Sequence, residues 1–212
     1  MIFLGPLYQL LADLLADRVN HFPLIRLLIF SLDKTILYTL VFIGLSALFS
    51  YFKKHRQPQW RLDWSKYGHV LALFIYLVLL LHLTVLRYDW QWWHLSLVPG
   101  FSLRDFHWLP LVDTIKLAYG DSSFSYWYNF FGNVLWFIPF GWLLAYFYRG
   151  KKRFFRVLLL GMSFSFMIEC GQLFLGTGLG HIDDVIFNSM GVVIGHFAYD
   201  CKQFFLMKHE SR

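Results

Sequence analysis

Charge is what this sequence has least of. Charged residues make up 15% of its 212 positions, against about a quarter in an average soluble domain. Cysteine is almost absent. Cys170 and Cys201 fall on different predicted helices, near opposite faces of a membrane, which argues against a disulfide and against a thiolate metal site. The first residues carry no basic n-region and no small-residue cleavage site, so no secretory signal peptide is read. There is no His-x-x-x-His, no G-x-S-x-G elbow and no Walker loop. Zinc hydrolysis, serine hydrolysis by that motif and nucleotide hydrolysis by that loop lose their sequence support, and no cofactor or metal is expected.

What is abundant is apolar surface. Hydrophobic residues reach 58%, aromatics 21%, and the mean hydropathy is +0.49. Such a chain needs lipid around it. The net charge of +6 then reads as basic cytoplasmic loops rather than as a nucleic-acid surface. The basic, aromatic segment at 53–66 is read in the same way, as a loop facing lipid.

The predicted class is all-α: a polytopic membrane bundle of about five transmembrane helices plus an N-terminal interfacial helix. Residues 1–33 hold two short apolar runs broken by Asp13, Asp17, Arg18 and Pro23, neither reaching the ~20 residues that span a bilayer. Leu7, Leu10, Leu11, Leu14 and Leu15 recur at helical spacing and predict an amphipathic helix. Spans are predicted over Thr35–Phe52, Gly68–Leu86, Phe124–Tyr148, Phe154–Leu175 and Asp184 to about Leu206. The membrane domain is 34–206, followed by a tail at 207–212. Residues 87–123 are read as an aromatic cap on the membrane surface with a short helix after Pro110.

Lys and Arg set the orientation. Five lie in 53–66, five in 149–156 and three after residue 200; the other side has six, offset by seven Asp. The N-terminus is therefore expected outside and the C-terminus in the cytoplasm. A six-span alternative requires the first 33 residues to cross.

Polar residues then converge. Asn129 and Asn133 lie early in span three, Glu169 and Gln172 late in span four, and His181, Asp183, Asp184 and Asn188 at the start of span five. His82, Thr84 and Arg87 end span two. All fall toward the outer face. Asn129 and Asn133 share a helix face, as do Glu169 and Gln172; Asp184, Asn188, Gly191 and Gly195 form one stripe. Gly191 and Gly195 allow close helix approach, and Pro139 bends span three. A charge at the bilayer centre costs roughly 3 kcal/mol, so three carboxylates mean a site or a packed polar seam. Capping and packing also explain single members: Asp183 or Asp184 suits a helix N-terminus.

Two segments resemble a known family. Asn129-x-x-Gly132-Asn133-x-x-x-Phe137-x-Pro139-x-Gly141 is similar to a conserved-order motif of the VanZ-like family. So are Glu169-x-x-Gln172 and Asp183-Asp184-Val-Ile-x-Asn188-x-x-Gly191-x-x-x-Gly195, and more weakly Trp108-Leu-Pro110-Leu-x-x-Thr114-Ile115. The resemblance covers about 70–200. It implies a multi-pass bacterial plasma-membrane protein, in a family whose namesake is associated with resistance to teicoplanin and related lipoglycopeptides. The chain departs from the pattern by having no Arg in 177–181 and His181 where members often carry Asp.

The favoured function is a non-enzymatic envelope protein with an outward-facing polar pocket between spans two to five, roofed by 87–123. Its expected partners are membrane lipids, a cell-wall precursor or a lipoglycopeptide, and no nucleic acid. Glu169, Asp183 and Asp184 supply charge; Asn133, Gln172 and Asn188 orient the ligand. The alternatives are a membrane enzyme using a carboxylate or His181 as acid/base on a lipid-linked substrate, and a transporter subunit, for which no inverted repeat is apparent.

Overall fold

The computed structural model describes residues 1–16, 18–19, 22–87, 102, 105–112, 115 and 123–210, with residues 123–126, 128, 129 and 210 by backbone alone. Among the described residues there are six helices: α1 Gly5–Leu15, α2 Phe22–Arg56, α3 Trp64–Thr84, α4 Ser123–Phe147, α5 Arg153–Leu175 and α6 Ile182–Glu210. No strand occurs among them, so the all-α class holds. Among the described residues four helices are long and apolar enough to cross a membrane: α2, α3, α5 and the Phe130–Phe147 part of α4, with mean hydropathies of 1.8, 1.9, 1.6 and 1.5. The chain divides into two units, Met1–Leu95 and Ser96–Arg212.

In the first unit α1 buries no residue. Leu7, Leu10 and Leu14 stand exposed, as expected of a helix whose apolar face meets lipid. The sequence reading starts the first span at Thr35, but α2 runs unbroken from Phe22. Pro23 falls in its first turn, where a missing N–H costs nothing. Asp33 does not break the helix either, because its carboxylate is fully engaged. It accepts the backbone N–H of Ile2 at 2.8 Å, Phe3 at 2.6 Å and Leu4 at 2.7 Å. Leu4 is the N-cap of α1 and offers no capping side chain, and Asp33 holds it and the two residues before it from a distance. At ~1.5 Å per residue α2 is roughly 50 Å long, well beyond a ~30 Å hydrocarbon core. Helix α3 packs antiparallel to it: Phe42 stacks on Phe74 at 4.3 Å, and Tyr38 tilts on His82 at 5.5 Å. The N-cap of α3 is Asp63, which accepts Lys66 N–H at 3.0 Å.

In the second unit α4 and α6 run parallel, with α5 antiparallel to both. Phe130 meets Phe187 at 4.8 Å near one end, and Trp142 meets Tyr199 at 5.7 Å near the other. Between them glycine removes the side chain at the contact. A Cβ on Gly191 would strike the carbonyl of Val134, one on Gly195 the carbonyl of Ile138, and one on Gly141 the carbonyl of Val192. Two backbones therefore touch directly, which only glycine permits. Helix α6 falls short of the apolarity of the other spans because Asp183, Asp184, Asn188, His196 and Asp200 interrupt it. It nevertheless lies alongside α4 over the same length. Pro139 sits on an exposed face within α4.

The basic end of this unit is tied by Arg153. Its guanidinium meets Asp200 at 2.7 Å, donates to the Ala145 carbonyl at 3.0 Å and covers the Tyr199 ring at 4.8 Å. One residue thus joins the end of α4, the start of α5 and the lower part of α6. Cys170 on α5 and Cys201 on α6 are free thiols.

Candidate functional site: the polar end of α4, α5 and α6

The polar residues gather at the other end of the same three helices. Helix α5 stops at Gly176, whose φ of 63° is left-handed and suits glycine. Its N–H and that of Thr177 return to the last carbonyls of α5, the latter to Gln172 at 2.9 Å. The Gly turn folds back on α5, so that a Cβ at Gly178 would lie 3.0 Å from Oε1 of Gln172. It then delivers His181 and the first turn of α6.

Three carboxylates meet this turn with different tasks. Glu169, 2% exposed, accepts the backbone N–H of His181 at 3.2 Å. Asp183, 4% exposed, accepts the N–H of Leu111, a residue at a φ of 63°. That conformation costs a non-glycine residue about 1–3 kcal/mol, and the carboxylate helps to hold it. Asp184 is half-buried and accepts Nδ2 of half-buried Asn133 at 2.7 Å. An acid in the first turn also sits favourably against the helix dipole. Deeper down, Asn188 on α6 donates Nδ2 to Ser165 Oγ on α5 at 2.8 Å, while its Oδ1 is buried with no partner among the described residues.

The connection before α4 lies over this end where it is described. His107 donates its N–H to the Gly180 carbonyl at 2.8 Å and accepts that of Ile182 at 3.1 Å, a single parallel bridge to His181. The two imidazoles stand edge to face with centroids 4.5 Å apart. Phe106 is buried; its ring lies 4.4 Å from Trp108 and 5.7 Å from Phe166, so close to Gly180 that a Cβ there would come within 2.6 Å of it. Beyond it Trp108, Leu109, Leu111, Val112 and Ile115 present exposed apolar side chains. One helical bond, Ile115 N–H to Leu111 carbonyl at 2.8 Å, follows Pro110; the rest of the expected short helix lies outside the described residues.

Of the residues singled out from sequence, Asn133, Glu169, Gln172, His181, Asp183, Asp184 and Asn188 come together at this end. The side chain of Asn129 lies outside the described residues. Gly141, Gly191 and Gly195 form the α4–α6 contact. In the other unit His82 is buried beneath Tyr38 with Nδ1 2.9 Å from the Val78 carbonyl. Sequence reasoning missed three participants. Phe106 counts only as one aromatic of the 87–123 cap, and His107 stands beside the weaker Trp108–Ile115 resemblance; no helical spacing assigns either a partner. Ser165 lies in an otherwise apolar run, although its spacing of four from Glu169 puts both on one face of α5. No group of three or more His, Cys, Asp or Glu among the described residues is arranged to hold a metal ion.

Comparison with known proteins bears directly on these elements. Neither a curated protein nor a solved structure matches the chain. The family profile described as VanZ/LLP1 matches residues 73–205, well over half of the sequence, and spans every helix that builds the polar end. The chain belongs to the VanZ/LLP1 family.

Proposed function

We propose that this protein sits in a bacterial plasma membrane, N-terminus outside and C-terminus in the cytoplasm, and binds the polar head of a lipid or cell-envelope component at the outer face. The observation that carries the reading is the layering of the polar end. Glu169, Asp183, Gln172 and Asn188 are buried: Glu169 and the Gln172 carbonyl hold the turn, Asp183 holds Leu111, and Asn188 ties α6 to α5. Asp184, Asn133 and His181 are partly exposed in front of them, and His107 is exposed. The buried layer is a scaffold, and the partly exposed layer is the ligand-facing surface. A head group bearing amines or hydroxyls suits the Asp184 carboxylate, and Asn133 and the imidazoles orient it. The exposed apolar run from Trp108 to Ile115 is suited to the acyl part or to a lipoglycopeptide tail. The basic end around Arg153, opposite the polar end, supports this orientation. A part in lipoglycopeptide resistance belongs to the same reading.

The experiment is lipid mass spectrometry on the purified protein. A reproducible head-group class should accompany wild type and be lost from Asp184→Asn, with the unfolding temperature unchanged. Identical lipid content in the two proteins removes the reading.

The edge-to-face pair of His107 and His181 favours a second reading, acid/base turnover of a lipid-linked substrate. It requires pH-dependent turnover of a purified lipid-linked substrate, lost in His181→Gln; a screen without turnover rejects it.

A further inference from the structure

Away from the polar end of α4–α6, the described residues form an open groove of about 1050 Å³ at the turn between α2 and α3, about the upper size of ligand sites. Its walls combine two chemistries. Tyr51, Trp60, Trp64 and Tyr67 supply aromatic faces, and Lys54 and Arg61 supply positive charge; Ser46 and Ser50 add hydroxyls and Ile43 and Ala47 an apolar floor toward the middle of α2.

The charges around the groove are unbalanced. Residues 53–66 carry Lys53, Lys54, Arg56, Arg61 and Lys66 against Asp63 alone. Asp63 is engaged as the N-cap of α3. Lys53 is engaged as well: its ammonium lies 5.1 Å from the Trp60 centroid and 5.6 Å from that of Phe49, which fixes the Trp60 wall. Lys54 and Arg61 line the groove and both are exposed. The groove also stands where two membrane-crossing helices end, the depth at which Tyr and Trp rings meet head groups.

We propose that this groove seats an anionic phospholipid, with the head-group phosphate on Lys54 and Arg61, the glycerol region among Tyr51, Trp60, Trp64 and Tyr67, and an acyl chain along Ile43 and Ala47. Arg61 presents a planar fork that matches phosphate oxygens, and Lys54 acts as a point charge. The aromatic walls and apolar floor separate this from a general attraction of basic loops to an acidic bilayer. The site is independent of the polar end of α4–α6.

The test uses the full chain, stripped of lipid in an uncharged detergent and titrated with phosphatidylglycerol, phosphatidylcholine or inorganic phosphate while the unfolding temperature is followed. Ligand binding to the native state raises that temperature with concentration. Phosphatidylglycerol is expected to raise it, and the other two to leave it in place. Lys54→Ala/Arg61→Ala should raise the half-saturating phosphatidylglycerol concentration about tenfold or more. Lys151→Ala/Lys152→Ala, which removes the same charge elsewhere, should leave it unchanged. Equal weakening by the two double variants means diffuse charge and overturns the proposal. So does a response to phosphate as large as that to the lipid, or a Lys54/Arg61 variant within twofold of wild type. If the double variant does not fold, the single variants Lys54→Gln and Arg61→Gln must each weaken the response, and their failure to do so is equally decisive.

Discussion

Asn133 on α4 donates Nδ2 to Asp184 Oδ1 on α6 at 2.7 Å, at the end of the helix pair opposite Arg153 and Asp200. The bond has an ionisable acceptor and joins two helices whose backbones also touch at glycine and whose rings meet at Phe130–Phe187 and Trp142–Tyr199. The glycine contacts at Val134–Gly191 and Ile138–Gly195 continue one turn further in Phe130 and Phe187, and the polar pair ties the same two helices from Asp184 in the first turn of α6.

Removing either partner therefore has a measurable coupling. Asn133→Ala and Asp184→Ala should each destabilise the folded protein, and the double variant should cost less than their sum by about 0.6 kcal/mol, up to about 1.7. Thermal unfolding of the four proteins in one detergent measures this. Strict additivity means that the two side chains do not act together.

The glycine contacts give a sharper contrast. Gly191→Ala and Gly195→Ala must push α6 off the carbonyls of α4, at a cost of about 1–3 kcal/mol each. Gly132→Ala has nothing within 4 Å to strike and replaces glycine in a helix, so it should be neutral or stabilising. The order of unfolding temperatures, Gly132→Ala at or above wild type and the other two below it, is the expected result.

Asp183 is expected to act on the backbone of the 105–112 segment. Asp183→Ala leaves the N–H of Leu111 without that acceptor, a loss of about 1.5–3 kcal/mol for a hydrogen bond to a carboxylate. Hydrogen exchange at Leu111 should accelerate about tenfold or more, while amides in the middle of α4 keep their protection. Unchanged exchange at Leu111 would show that the carboxylate does not hold this segment.

Orientation is open to direct labelling. In a background with Cys170 and Cys201 replaced by Ala, Leu179→Cys is placed in the exposed Gly turn. It should react with an impermeant maleimide added to intact cells. Lys152→Cys, exposed at the opposite end, should react only after the cells are opened. The reverse pattern would invert the topology and move the polar end to the cytoplasm.

Much of this protein is a consequence of sequence alone. Long apolar runs must form helices in lipid, because only there are all backbone groups satisfied within the segment. Helical spacing then places Asn133 on one face of its helix, Glu169 with Gln172 on another, and Asp184, Asn188, Gly191 and Gly195 along one stripe. Short turns force neighbouring helices to alternate in direction, so these faces share one end. None of that requires coordinates.

Partners are a different matter. Two adjacent aspartates look alike in sequence, yet Asp183 takes the backbone of Leu111 and Asp184 takes the amide of Asn133. Asp33 carries no signal in the sequence reading and is the acceptor for three N–H groups about thirty residues away. Phe106 and His107 gained their places only because Gly180 left room for a ring and offered a carbonyl. Covalent spacing fixes which side of its own helix a residue occupies. Which residue it faces depends on helix register and on the path of a long connection, and both are decided by the packing of many side chains at once.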